Sequence, residues 1–192
     1  MSTLTAVRTA TGLALASDAL TTFDDLKLPP DLDAAGEKVL RVGDALVGVV
    51  GYAAHHLVLQ DAFERAEFVD LTSRRGIFET FRGLHEVLKD EYYLKPETGE
   101  DGDPYESSQV SLLIAAPTGL FGVYDMREVH EYTRYWAMGS GAAFALGAMH
   151  ARWHDAESGA LDAGALAALG VETGCRFDAS SGGPVTVYEV EG

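Results

Sequence analysis

The chain begins with TLTAVR and, after a short break, LALASD, two runs of small and β-branched residues that predict strands joined by a turn at Ala10 to Gly12. The same texture returns in KVLRVGDALVGVVG, where Gly43-Asp44 divides two further strands, so a second hairpin follows the first. Between the hairpins, residues 23–36 hold two prolines, four aspartates and a glycine, which predicts a loop. The period then changes. Leu57, Val58, Phe63 and Ala66 recur at helical intervals between 53 and 67, and Phe78, Phe81, Leu84, Val87 and Leu88 carry a second helix that Thr72 or Ser73 would cap. LKPETGEDGDPYESS is acidic and rich in Gly and Pro, a loop leading into QVSLLIAAPTGLFGVYD, which reads as a hairpin turning at Pro117 to Gly119. One more strand is expected from about Val129 to Ala137, ending at Gly139-Ser140-Gly141. Two helices, AAFALGAMHARWH and LDAGALAALGVETGCRFD, and a last strand, PVTVYEV, close the chain. Strand groups on both sides of paired helices predict an α+β architecture with sheets enclosed by helical layers.

Composition narrows the partners more than the fold. A chain of 192 residues is long enough for one domain with a full core, and residues 1–192 are expected to form a single one. Fourteen Lys and Arg against 30 Asp and Glu give a net charge of −16, a field that repels phosphate backbones and anionic lipid. Neither nucleic acid nor a membrane is therefore an expected partner. Cys175 is the sole cysteine, so no intrachain disulfide and no cysteine-based metal cluster can form. With no apolar run of about 18 residues and no basic-then-apolar leader pattern, the expected location is the cytoplasm.

Several residues invite a chemical reading. If Met1 is removed, Ser2 carries a hydroxyl and a free α-amine on one residue, the two groups of an N-terminal nucleophile. His150 and His154 lie one helical turn apart but have no acid between them, which suits a surface pair better than a metal site. His55-His56 opens a helix without an evident partner, GDALVGVVG lacks the Lys-Ser/Thr end of a phosphate loop, and Cys175 reads as a small core residue. Taken singly, Asp18 is a strand-end turn residue, Lys38 a solvated charge and Ser140 a helix N-cap.

Taken together, these residues fall into a known order. STLTAVR followed by GLALASD, Glu37-Lys38-Val39 leading into RVGDALVGVVGYAA, WAMGSGAAFALGAMHA, FDASSGGPVTVYEV and GDPYESSQVSLLIA resemble segments of the N-terminal nucleophile hydrolases of the proteasome β-subunit and HslV (ClpQ) type, and among these the small proteobacterial proteasome homologues. The resemblance spans nearly the whole chain. It implies a four-layer αββα sandwich of two antiparallel sheets between helical layers. It also implies a peptidase subunit of a self-compartmentalising homo-oligomeric ring or double ring, acting on peptides or unfolded polypeptide, with a ring ATPase unfoldase as partner. Ser2 stands where the family has its N-terminal Thr, and Asp18, Lys38, Ser140, Asp178 and Ser181 match its active-site residues. Gly51 matches the oxyanion position, with Thr22 and Ala53 beside it as substrate-binding residues. No cofactor and no metal is implied for catalysis, although the family can bind a cation through backbone carbonyls near the stretch matching Glu172 to Asp178.

The chemistry implied is consistent with these residue types. A Ser hydroxyl needs a base, and the α-amine, with an ordinary pKa of about 8, can supply one through a water. Lys38 would lower the pKa of that amine and stabilise charge on the oxygen, Asp18 would hold Lys38, Ser140 and Asp178 would position the amine, and the Gly51 N–H would meet the oxyanion. Ser in place of Thr loses the methyl that restrains the rotamer. That departure opens one alternative, a catalytically weak or silent scaffold or binding ring; a separate one is an amidohydrolase of the same fold acting on small amides. Thr3 would be the nucleophile only if two residues were removed, which shifts the register against Asp18.

Overall fold

The computed structural model describes residues 2–34, 36–95 and 104–190. Two antiparallel sheets lie face to face. The four-stranded sheet has the order β10-β1-β2-β11, from Tyr135–Gly139, Thr3–Arg8, Leu13–Ser17 and Thr186–Glu189. The five-stranded sheet runs β5-β6-β7-β8-β9, from Val39–Val42, Ala45–Val50, Ser111–Ala116, Gly119–Val123 and Val129–Tyr132. Helices α1 (Ala54–Arg65) and α2 (Arg74–Asp90) cover the larger sheet, and α3 (Ala142–Glu157) and α4 (Ala163–Phe177) cover the smaller one.

Side-chain alternation explains the layering. On β1, Leu4 and Ala6 enter the core between the sheets, while Val7 faces α3 and α4. On β6 and β7, Leu46, Leu113 and Ala115 join that central core, while Val47, Val49, Leu112 and Ile114 meet Leu59, Phe63, Ile77, Phe81, Leu84 and Leu88 of α1 and α2. Both faces of the inner strands are thus buried, which is why their sequences read as continuous apolar runs instead of alternating ones. Each fully buried Leu or Ile contributes roughly 1.5–3 kcal/mol relative to exposure. Ser73 starts α2, its Oγ accepting from the Gly76 N–H at 3.1 Å, and Thr72 instead donates to Asp70.

Three expectations need correction. Residues 23–36 are not all loop: Thr21–Phe23 and Leu26–Leu28 form a small hairpin, β3–β4, followed by a 3-10 turn at Pro30–Leu32. The expected strand from Val129 to Ala137 is two strands in different sheets, because the chain crosses from β9 to β10 at Thr133-Arg134. No Gly or Pro marks that crossing, so nothing local announces it. Ser140 does not cap α3; Gly141 occupies that position without a side-chain cap bond. Most of the acidic loop expected before β7 lies outside the described residues. No helix among the described residues is long and apolar enough to cross a membrane.

Candidate active site

One end of the sandwich collects the singled-out residues. Ser2 and Thr3 begin β1, Asp18 follows β2, Lys38 precedes β5, Gly51 follows β6, Ser140 follows β10, and Asp178 ends α4. Antiparallel pairing places the start of β1 beside the ends of β2 and β10, with Leu4 opposite Ser17 and Thr3 opposite Gly139. Residues 136 positions apart are thereby brought into contact. Gly139, with φ +99°, is required here: a Cβ on it would lie 1.9 Å from the Ser2 carbonyl oxygen. A Cβ on Gly141 or Gly174 would collide with Thr3 Oγ1, at 2.0 and 2.5 Å. Glycines therefore let three segments close on the Ser2–Thr3 dipeptide.

Asp18 is 1% exposed and accepts four hydrogen bonds. Its Oδ1 receives the Thr3 N–H at 3.0 Å and Lys38 Nζ at 2.8 Å, and its Oδ2 receives the N–H groups of Gly182 at 3.0 Å and Leu20 at 3.3 Å. A buried carboxylate without such donors would cost several kcal/mol. Lys38 Nζ also donates to the Leu20 carbonyl at 2.6 Å. The Asp18–Lys38 ion pair joins the end of β2 in one sheet to the start of β5 in the other.

Asp178 organises hydroxyls. Its Oδ2 accepts from Ser140 Oγ and from Ser181 Oγ, both at 2.6 Å, and Ser181 Oγ lies 2.7 Å from Thr3 Oγ1. Since the carboxylate only accepts, the Ser181 proton points to Asp178 and Thr3 donates to Ser181. Burial pushes the Asp178 carboxyl upward, but the hydrogen bonds from Ser140 and Ser181 outweigh it and hold its pKa below the ordinary value. Thr3, which the sequence offered only as an alternative nucleophile, and Gly182, the residue after the matched Ser181, complete the two clusters through bonds that the sequence did not indicate.

Gly51 has φ +130°, a glycine conformation that turns the chain from β6 into α1, where Ala53 is exposed. Thr22 is half-buried at the centre of β3, paired with Lys27. Other candidates fall elsewhere. His150 Nδ1 is 2.9 Å from Tyr135 OH, His154 is exposed, and no group of three or more metal-ligating side chains occurs among the described residues. Cys175 is half-buried, and burial, reinforced by the charge of Asp18, pushes its thiol up to about 11, which favours the protonated thiol over the thiolate. His55 is buried, its ring meeting Tyr52 edge-on, and burial holds its pKa below the ordinary value; His56 is shifted the same way by the same cause.

No protein-family model matches the chain, and no curated protein does. Solved structures do. BPH of Thiobacillus denitrificans, a bacterial proteasome homologue, is 39% identical, with 98% of this chain and 97% of that one covered at a TM-score of 0.91. The same protein in complex with epoxomicin is 39% identical over 98% of both chains, with a TM-score of 0.90. The chain belongs to the proteasome and HslV type of N-terminal nucleophile hydrolases. HslV from Trypanosoma brucei, 19% identical over 99% of both chains with a TM-score of 0.67, shares the fold. This member of the family is a proteasome-type peptidase, and its αββα layering is that of its relatives.

Proposed function

We propose that the protein cleaves peptide bonds with Ser2 as an N-terminal nucleophile, exposed by removal of Met1. The observation that carries this reading is the convergence of two hydrogen-bonded clusters, centred on Asp18 and Asp178, on Thr3, the residue that follows Ser2. Ser2 Oγ attacks the peptide carbonyl while the α-amine, through a water, takes the hydroxyl proton. Lys38, held by Asp18, supplies positive charge beside the oxygen, and its third N–H, not engaged among the described residues, is available for that purpose. Ser140, Asp178 and Ser181 orient the α-amine, and the Gly51 N–H receives the oxyanion. The tetrahedral intermediate collapses by breaking the C–N bond, the leaving amine takes the proton, and water then hydrolyses the Ser2 ester. Thr22 and Ala53 flank the bound peptide.

Residues 1–192 act as one proteasome-like domain in this reading, in a cytoplasmic homo-oligomeric ring or double ring that admits unfolded chains, with a ring ATPase as feeder. The −16 charge favours neither nucleic acid nor membrane.

The decisive test is the intact mass of the purified protein before and after epoxomicin, a peptide epoxyketone that reacts with both the hydroxyl and the α-amine of an N-terminal nucleophile. BPH of Thiobacillus denitrificans is known in complex with the same compound. Loss of Met1 and one adduct per chain, absent in Ser2→Ala, is the expected outcome. A retained Met1 on protein from the native cell overturns the reading. Ser in place of Thr motivates a second reading, a silent scaffold, which a processed but unreactive chain would favour; cleavage of small acyl-amides but not peptides would point to an amidohydrolase.

A further inference from the structure

A third polar network, apart from those of Asp18 and Asp178, lies behind the Gly51 turn. Ser108, at 5% exposure, sits among three polar groups. Its N–H donates to the Asp125 carbonyl at 2.6 Å, its Oγ accepts from Arg127 Nη1 at 2.8 Å, and the same Oγ lies 2.8 Å from His85 Nδ1. The Glu106 carboxylate beside His85 Nε2 can only accept, so Nε2 donates there and Nδ1 of the neutral imidazole accepts the Ser108 proton. His85 Nε2 then faces Glu106 Oε2 at 3.2 Å, and Lys89 Nζ holds the same oxygen at 2.5 Å. Helix α2, the turn between β8 and β9, and the segment before β7 are tied through one serine hydroxyl.

The segment so tied carries an unusual backbone. Gln109 has φ +53°, a left-handed conformation that a non-glycine residue keeps only when its surroundings enforce it. Its N–H is held by Ser107 Oγ at 3.0 Å, and its side-chain amide donates to the Lys95 carbonyl. The conformation brings the Gln109 carbonyl under Gly51: a Cβ built on Gly51 would lie 3.6 Å from that oxygen and 3.3 Å from the His55 ring. The His55 ring and the Gln109 carbonyl thus back the Gly51 turn on its Cβ side, while Gly51 itself is exposed.

We infer that Glu106 to Gln109, anchored through Ser108 on His85 and Arg127, is a positioning element that fixes the Gly51 turn for catalysis. Ser108 and His85 act through Gln109 and touch no reacting atom. The inference rests on the proposed role of Gly51 as oxyanion donor; the coupling of the two segments does not. An N–H that stabilises an oxyanion must sit within a few tenths of an ångström of its place, and a misplacement of about 1 Å can cost about 100-fold in rate.

The test pairs exchange with kinetics on the assembled protein. In Ser108→Ala, amide hydrogen exchange at residues 51–56 is expected to quicken at least about ten-fold while the β6 and β7 amides keep their wild-type rates. On a fluorogenic peptide, kcat is expected to fall between about ten- and 100-fold with KM within about two-fold. His85→Leu should reproduce both changes. His85→Asn, which keeps an acceptor at the Nδ1 position, should recover most of the rate. Unchanged exchange at 51–56 overturns the coupling, and quickened exchange with unchanged kcat in an active protein overturns the positioning role. A wild-type chain inert to peptide and epoxomicin overturns the proposed function instead, and exchange still decides the coupling.

Discussion

Asp18 and Asp178 both reach Thr3, one through its backbone and the other through its side chain, yet their surroundings differ in kind. Asp18 is fully enclosed and meets an ammonium and three peptide N–H groups, all of them permanent donors. Asp178 is half-buried, and the side-chain groups bonded to it are the hydroxyls of Ser140 and Ser181, each able to rotate and exchange its role. The first arrangement fixes a charge in place, and the second offers a path along which protons can be reoriented. A site that must hold a cation still while an amine changes protonation needs one of each.

The comparison breaks most visibly at Asp18. Asp18→Asn leaves the Lys38 ammonium without its counter-charge where its side chain is only 12% exposed. The expected loss is about 3–5 kcal/mol in urea denaturation, together with loss of measurable peptidase activity. Pairing it with Lys38→Met should restore most of the stability and none of the activity, which separates the structural from the chemical role of the pair. If the single variant keeps near-wild-type stability, the fixed-charge description of Asp18 is wrong.

Changes around Asp178 are expected to be milder. Ser181→Ala removes the shared hydroxyl and leaves Thr3 Oγ1 buried without its acceptor, a cost of about 1–3 kcal/mol. Its kcat should drop by about ten-fold while Ser140 still holds Asp178. Ser140→Ala, with less burial at stake, should affect rate more than melting temperature. Equal thermal losses in both variants would show that the hydroxyl pair is a packing feature and erase the contrast with Asp18.

How much of this was legible from sequence depends on the range of the contact. The hairpins at Gly43-Asp44 and Pro117 to Gly119 and the helices were legible because their signals are local, and in the second helix Phe81, Leu84 and Leu88 do face the core, whereas Phe78 is exposed and Ile77 takes its place. Asp18 and Lys38 were marked by resemblance, and they meet at 2.8 Å. The crossing at Thr133-Arg134 was not legible, since a switch between sheets depends on which neighbours are available and not on a turn residue. The partners of Thr3 were hidden in the same way. Nothing in STLT distinguishes a threonine that faces Ser181 across 178 positions from one that merely suits a strand. Nothing local sets His85 apart either, since its partners Glu106 and Ser108 lie 21 and 23 positions away.

The smallest expected effect concerns the Gly51 side of the site, where two imidazoles lie at the start of α1 with their Nε2 atoms buried and unpaired among the described residues. Burial disfavours the charged form, so the folded-state pKa values of His55 and His56 lie below the ordinary value near 6.5. The sign follows from proton linkage. Above about pH 6.5 both folded and unfolded chains carry neutral imidazoles and these residues contribute no slope; as pH falls below that value the unfolded chain takes up protons that the folded one refuses, and stability declines until the folded pKa is reached. Urea midpoints measured from pH 7.5 downward should therefore fall below about pH 6.5. His55→Phe, which keeps the ring against Tyr52, should flatten part of that fall without lowering stability at pH 7.5. An unaltered slope in His55→Phe would mean that His55 protonates as readily in the folded chain as in the unfolded one, and the wall behind Gly51 would then be more hydrated than its packing implies.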